Sequence, residues 1–207
     1  MNWLGLAVVG VCLVGSGLRA AQDRMAEPWE ESINLTQPPE KVLDAIGLEP
    51  GMAVGEVGAG RGRFTVRLAA RVGPRGLVYA NDIDRNTLDY LARRCKANDL
   101  RNVRVVTGGL HEPRFPLRTL DMVFMINVYN SFVDPVRYLR NIAPTLKPDG
   151  TLAIVLVDPV KWPVVPPRSA TREQFLTSAQ QAGYLLQREE TFLVHDGIYV
   201  LRPTRTP

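Results

Sequence analysis

Apolar residues recur along this chain with two different spacings. Residues 53–57, 77–81, 103–107, 120–127 and 151–157 are short, nearly continuous apolar runs of strand length. Between them, residues 63–72, 85–98 and 135–143 place apolar side chains three and four apart, the spacing that lines up one face of a helix. Residues 38–46 share that spacing, with Pro38 and Pro39 where a first helical turn tolerates proline and Gly47 where a helix stops. Strand runs alternating with helices predict a parallel sheet with crossover helices on both faces. Beyond residue 157 the order changes. Residues 172–182 predict a helix ended by Gly183, and two strand-like runs, 185–194 and 198–202, flank His195-Asp196-Gly197. Asp-Gly at such a junction signals a hairpin. The pattern therefore predicts a doubly wound, mostly parallel α/β domain over residues 38–207, finished by an antiparallel pair. A loop with four prolines, residues 159–167, precedes that final part.

The first residues follow a different logic. No charged side chain occurs from Met1 to Leu18, and residues 4–14 form an apolar run followed by Ala20 and Ala21. Such a run is short for a membrane span of about 20 residues and has small residues where a peptidase cuts, which predicts a cleaved signal peptide over residues 1–21 and an exported domain, periplasmic or secreted. Arg19 and Arg24 lie on the far side of the run, so the alternative is a short uncleaved anchor, associated with a membrane, that keeps the domain in the cytoplasm. The polar stretch 22–37 reads as a linker.

Composition narrows the function classes. A length of 207 residues with 45% hydrophobic side chains suits one globular core. The balance of 25 basic and 21 acidic residues gives +4, spread through helical patterns, so a nucleic-acid partner is not indicated. Cys12 and Cys95 stand far apart and the two histidines, His111 and His195, have no ligand spacing, which argues against a disulfide framework and against a metal site.

The chemistry concentrates between the first two strands. Gly58, Gly60 and Gly62 alternate in Gly58-Ala59-Gly60-Arg61-Gly62, where a strand turns into a helix. Glycine lets the backbone turn tightly and lets a ligand approach it, and the free N–H groups of the following helix attract an anion. Glu56 lies two residues before the first glycine. Asp82 follows Gly62 by 20 residues at the tip of the second strand, where a carboxylate can accept both hydroxyls of a ribose. The alternation is not the G-x-G-x-x-G of nicotinamide-dependent oxidoreductases, which removes support from that class.

Three segments together, Glu56-Val57-Gly58-Ala59-Gly60-Arg61-Gly62, Val78-Tyr79-Ala80-Asn81-Asp82-Ile83-Asp84 and Leu146-Lys147-Pro148-Asp149-Gly150-Thr151-Leu152, resemble the class I S-adenosylmethionine-dependent methyltransferases. The resemblance runs from Pro38 to about Arg202 and implies a seven-stranded sheet whose last strand is antiparallel. It also implies that S-adenosyl-L-methionine is the cofactor. Gly58, Gly60 and Gly62 would cradle its methionine end, Glu56 would support its amino group, Asp82 would hold the ribose and Ile83 would pack on the adenine. Gly109 stands where relatives often carry an Asp, and Glu112 would substitute.

Ligands of open α/β sheets lie outside the carboxyl ends of the strands, so Asn127, Tyr129 and Asn130, after the fourth strand, are the candidate catalytic residues facing the methyl group, with Asn127 also a candidate cofactor contact; the alternative is that Tyr129 packs and Asn130 caps the loop. Val128 replaces a proline of the Asn-Pro-Pro-Tyr pattern, which removes support from amino-group methylation of that type. Arg61 and Arg63 read as exposed residues of a first helical turn, with the alternative that they hold an acidic group; His111 reads as solvated. Trp162 lines an apolar substrate pocket or plugs the sheet edge. The function implied is methyl transfer to a small-molecule or lipid-like acceptor by in-line displacement. The alternative is an exported, catalytically inactive binding module of the same fold.

Overall fold

A computed structural model describes residues 26–162 and 169–204; the apolar segment 1–21, with Cys12 and Arg19, lies outside the described residues. Seven strands form one sheet: β1 (Ala53–Val57), β2 (Leu77–Asp82), β3 (Val103–Thr107), β4 (Leu120–Ile126), β5 (Leu146–Val157), β6 (Tyr184–Glu190) and β7 (Asp196–Pro203). Their order across the sheet is β3-β2-β1-β4-β5-β7-β6. The first five are mutually parallel, and β7 inserts antiparallel between β5 and β6. The doubly wound sheet with an antiparallel close is therefore the fold the sequence predicts.

Strands of a parallel sheet covered on both faces are apolar almost throughout. Met122 to Met125 in β4 and Leu152 to Leu156 in β5 are accordingly buried. On one face Val123, Met125 and Ile154 pack against α5 (Pro135–Ile142) and α6 (Arg172–Gln181) through Leu139, Ile142 and Phe175. On the other, Phe124 and Val155 pack against α2 (Pro39–Ile46) and α3 (Thr65–Val72) through Leu43, Phe64 and Leu68. Local signals set the helix ends. Gly47 closes α2 at φ 75°, Asp84 caps α4 (Arg85–Ala97) by accepting from the Asn86 and Thr87 amides, and Thr171 and Gln174 form a capping box on α6.

Several boundaries differ from the sequence reading. α3 starts at Thr65 because residues 58–64 are taken up by the glycine turn. β5 starts at Leu146, where Leu120 pairs with Leu146 before a register shift carries Met122 to Thr151. The expected hairpin tip is also moved: Asp196 and Gly197 are the first residues of β7, paired with Val157 and Leu156, because the ladder with β5 extends to them. Residues 191–195 make the connection instead.

The stretch expected to be a linker is folded over residues 28–36. A 3-10 turn, Pro28–Glu30, leads into α1 (Glu31–Thr36). Its polar residues have distant partners. Glu30 is fully buried, with Arg67 Nη1 at 2.9 Å and Arg94 Nη2 at 2.6 Å. Arg63, expected at the surface, is buried: Nε donates to Asn34 Oδ1, Nη1 to Gln37 Oε1 and Nη2 to the Gln37 carbonyl. The segment is thus a cap docked across α3 and α4.

Removing one member of a buried ion cluster leaves the others unpaired in low dielectric, at a cost of about 3–5 kcal/mol. Glu30→Ala is therefore expected to lower the unfolding free energy of the chain by that amount in urea denaturation. A loss below about 1 kcal/mol, the scale of an exposed pair, would show that the cap is not held this way.

Candidate functional site

The glycine turn leaves β1 at Val57 and enters α3 at Thr65. Gly58 and Gly62 both have positive φ, 70° and 86°, and neither has room for a side chain. A β-carbon on Gly58 would sit 2.7 Å from Val128 Cγ2, and one on Gly62 would sit 2.3 Å from Leu91 Cδ1. The turn is tied to the tip of β2: the Gly60 amide donates to Asp82 Oδ2 at 2.9 Å and the Ala59 amide to the Asn81 carbonyl at 2.8 Å. Asp82 Oδ1 accepts from the Asp84 amide at 3.1 Å. Two backbone amides thus fix the carboxylate while each oxygen keeps a further lone pair for a ligand.

Above this junction lies a cavity of about 230 Å³, bounded by Gly58, Asp82, Ile83, Gly109 and Val128, with Tyr138 at its side. The Asp82 carboxylate, the Ile83 side chain and the bare backbone of Gly58 therefore meet at one cavity. Ile83 is largely exposed and forms the rim. Glu112 is not part of the wall. Its carboxylate points to solvent and pairs with Arg114 at 3.4 Å, so Gly109 borders the cavity and Glu112 does not substitute for an acidic residue there. The apolar wall formed by Val128, Leu110, Phe132 and Tyr138 was not singled out in the sequence, where no polar signal marks it.

Glu56 lies beneath the turn rather than in the cavity wall. It is buried and accepts a hydrogen bond from the Thr65 hydroxyl. Burial pushes its carboxyl up to about 8; the Thr65 bond opposes this and the charge of Asp82 reinforces it. The group therefore carries a proton near neutrality.

The residues after β4 separate into different roles. Asn127 adopts φ 58°, a left-handed conformation that Asn tolerates better than most side chains. Its amide exchanges hydrogen bonds with Gln37, at 3.2 and 3.3 Å. Tyr129 takes the packed alternative rather than a place facing an acceptor, and is buried. Its ring meets Phe175 edge-on at 5.1 Å and Phe132 at 6.1 Å, and burial pushes its phenol up from the ordinary value. Packing of the aromatic ring on the α5 and α6 side outweighs exposure of one hydroxyl. Asn130 Oδ1 accepts from the Ala170 amide at 3.1 Å and borders a second cavity.

That second cavity, of about 420 Å³, lies between α1, the ends of β4 and β5 and the start of β7. Asn127, Trp162, His195 and Asp196 line it, together with Ile33 and Gln37 of the cap. Asn127 therefore faces the second cavity while its neighbour Val128 faces the first. Arg61 lines neither. Its guanidinium lies 4.3 Å from the Tyr90 ring centre and 5.2 Å from that of Trp29, half exposed beside Glu27. His111, read as solvated, has its Nδ1 buried.

Comparison with known proteins agrees with this arrangement. A family model described as a methyltransferase domain matches residues 54–150. Nocamycin O-methyltransferase of Saccharothrix syringae is 31% identical over 127 residues, covering 61% of this chain and 43% of the relative. Demethylmenaquinone methyltransferase of Listeria welshimeri is 28% identical over 116 residues, covering 56% and 49% respectively. The chain thus spans less than half the length of these curated relatives. Among solved structures, a SAM-dependent methyltransferase from Aquifex aeolicus superposes with a TM-score of 0.77 at 25% identity, covering 88% of this chain and 96% of that one. The [4+2]-cyclase SpnF superposes at 0.70 with 16% identity over 82% and 81%, a likeness of fold alone.

The protonated Glu56 makes a pH prediction. The folded chain holds a proton that the unfolded chain releases above about 4.5, so this group's stabilisation is complete below 4.5 and is lost as pH rises through about 8. Relative to Glu56→Gln, the wild-type chain is expected to lose stability between those values in urea titrations run across the window. A difference between the two chains that stays constant with pH would refute the assignment.

Proposed function

Since the chain carries a class I S-adenosylmethionine-dependent methyltransferase domain, we propose that it transfers the cofactor's methyl group to a small-molecule or lipid-like acceptor by in-line displacement. The observation that carries this reading is the placement of the two cavities on either side of one peptide link, with Val128 on the first and Asn127 on the second. When bound, the cofactor supplies an electrophilic sulfonium methyl. The chain's own part is alignment and exclusion of water, which together account for much of the acceleration available to such a transfer.

The residues of the first cavity suit this cofactor. Asp82 would accept the ribose hydroxyls, Ile83 would pack on the adenine, and the bare backbone of Gly58 would let the ligand reach the turn where a β-carbon would collide with Val128. Gly60 and Gly62 hold the turn open for the amino-acid end. Glu56 shapes the turn from below through Thr65. At the boundary of the cavities Asn127 is held by Gln37, in position to orient an acceptor. For the acceptor, the support is the small-molecule chemistry named for the nocamycin and demethylmenaquinone relatives. The apolar run 4–14 supports an exported domain with that run cleaved, the alternative being an uncleaved anchor that keeps the domain at a membrane.

Calorimetric titration of the full chain with S-adenosylmethionine and with S-adenosylhomocysteine tests the cofactor assignment. Both are expected to bind. Asp82→Ala is expected to weaken binding about 10- to 100-fold, the effect of losing hydrogen bonds to a charged group worth about 1.5–3 kcal/mol. Absence of heat with either ligand would overturn the assignment and return the domain to the binding-module reading.

A further inference from the structure

Beside the second cavity are two buried polar atoms with no hydrogen-bond partner among the described residues. Asp196 is 2% exposed, its Oδ2 accepts from Gln37 Nε2 at 3.0 Å, and its Oδ1 is buried with no hydrogen bond. Trp162 Nε1 is likewise buried with no hydrogen bond. Both residues line the same cavity. Leaving a buried donor or acceptor unmade costs roughly 1–3 kcal/mol, so a fold that keeps one of each beside one cavity has a matching ligand to gain from.

Resting on the methyltransferase reading above, we propose that this cavity is the acceptor site and that Asp196 is its specificity residue. The acceptor is a flat, largely apolar ring carrying a hydroxyl that donates to Asp196 Oδ1 and a second oxygen that accepts from Trp162 Nε1. Three observations fix the class. The hydrogen-bond polarity is one acceptor and one donor. One wall is flat, since the Trp162 ring stacks on His195 at 4.2 Å and 24°, with the apolar Ile33 and Val157 beside it and Ser32, Thr36 and Asn130 also in the lining. A cavity of about 420 Å³ accommodates a bicyclic ring.

Several groups surround Asp196. Its backbone is fixed as the first residue of β7, paired with Val157. Burial raises the carboxyl above its ordinary value, while the Gln37 bond and the charges of His195, Lys161 and Arg63 oppose that. Lys161 itself is spent on carbonyls, donating to those of Thr191, Leu193 and Asp196. Gln37 makes the site directional. Its Nε2 requires an acceptor on the Oδ2 side, so an amide at position 196 would have to turn its oxygen to Gln37 and its NH₂ into the cavity.

The test uses the full chain with S-adenosylhomocysteine present and two probes, 4-methoxy-1-naphthol and 1,4-dimethoxynaphthalene, which differ in one oxygen, a hydroxyl in the first and a methyl ether in the second. The wild-type chain is expected to bind the naphthol at least tenfold more tightly than the diether by calorimetry. Asp196→Asn is expected to abolish that preference while leaving S-adenosylhomocysteine affinity unchanged. Trp162→Phe, outside the Gln37 network, is expected to weaken both probes together, because both keep the ether oxygen. A purely structural role for Asp196 would leave the ratio of the two probes unmoved. The proposal is overturned if the wild-type chain shows no preference or binds neither probe, or if the preference survives in a folded Asp196→Asn. Should that variant not melt cooperatively, unchanged probe affinity in Trp162→Phe overturns it alone. Failure of the wild-type chain to bind S-adenosylhomocysteine overturns the methyltransferase reading instead.

Discussion

A carboxylate taken wholly out of water has to be answered by cations, and Glu30 is answered twice, by Arg67 from α3 and Arg94 from α4. That cluster joins a segment before the first strand to the helices that follow the first and second strands. Everything toward the ligand end depends on the join. α1 continues from it, and Ile33 and Gln37, which wall the second cavity, are held where they are by the cap's attachment and by Arg63 reaching back to Asn34 and Gln37. Buried ion clusters are expensive to assemble and costly to break, so such a cap has one well-defined seat.

Gln37 extends the join across the sheet. It accepts from Arg63 and donates to Asn127 and Asp196, which lie at the end of β4 and the start of β7. The glycine turn, the cap, the central strand and the inserted antiparallel strand thus meet around one amide. The cofactor side of the site is organised by backbone, with glycines and amides setting positions. The second cavity is organised by side chains, and this is the part that differs among proteins sharing a fold.

The sheet was legible because strands covered on both faces must be apolar and crossover helices must carry one apolar stripe, as β4, β5 and α3 do. The glycine turn and Asp82 were legible because only glycine meets the backbone geometry there and because a carboxylate at a strand tip has few other uses. The polar cap was not, since Glu30 and Arg63 look like solvated residues until partners 26 and more positions away in the chain fold onto them. Tyr129 stayed open between two roles because a phenol carries both an apolar ring and a polar tip, and the sequence does not say which one the neighbours will meet. Glu112 misled through nearness in sequence to Gly109, although its side chain leaves the cavity for Arg114. Asp196-Gly197 carries the chemistry of a turn, yet pairing with β5 drew it into a strand and turned the carboxylate inward.

The single peptide link between Asn127 and Val128 has a thermodynamic consequence. With Asn127 held at φ 58° by Gln37, a wall of each cavity belongs to one short piece of backbone that cannot shift on one side alone. A ligand that stiffens this piece prepays ordering for the ligand on the other side. Linkage would make that benefit reciprocal: with both cavities filled, each compound would raise the other's affinity by the same factor, and the ternary complex would gain over either binary one.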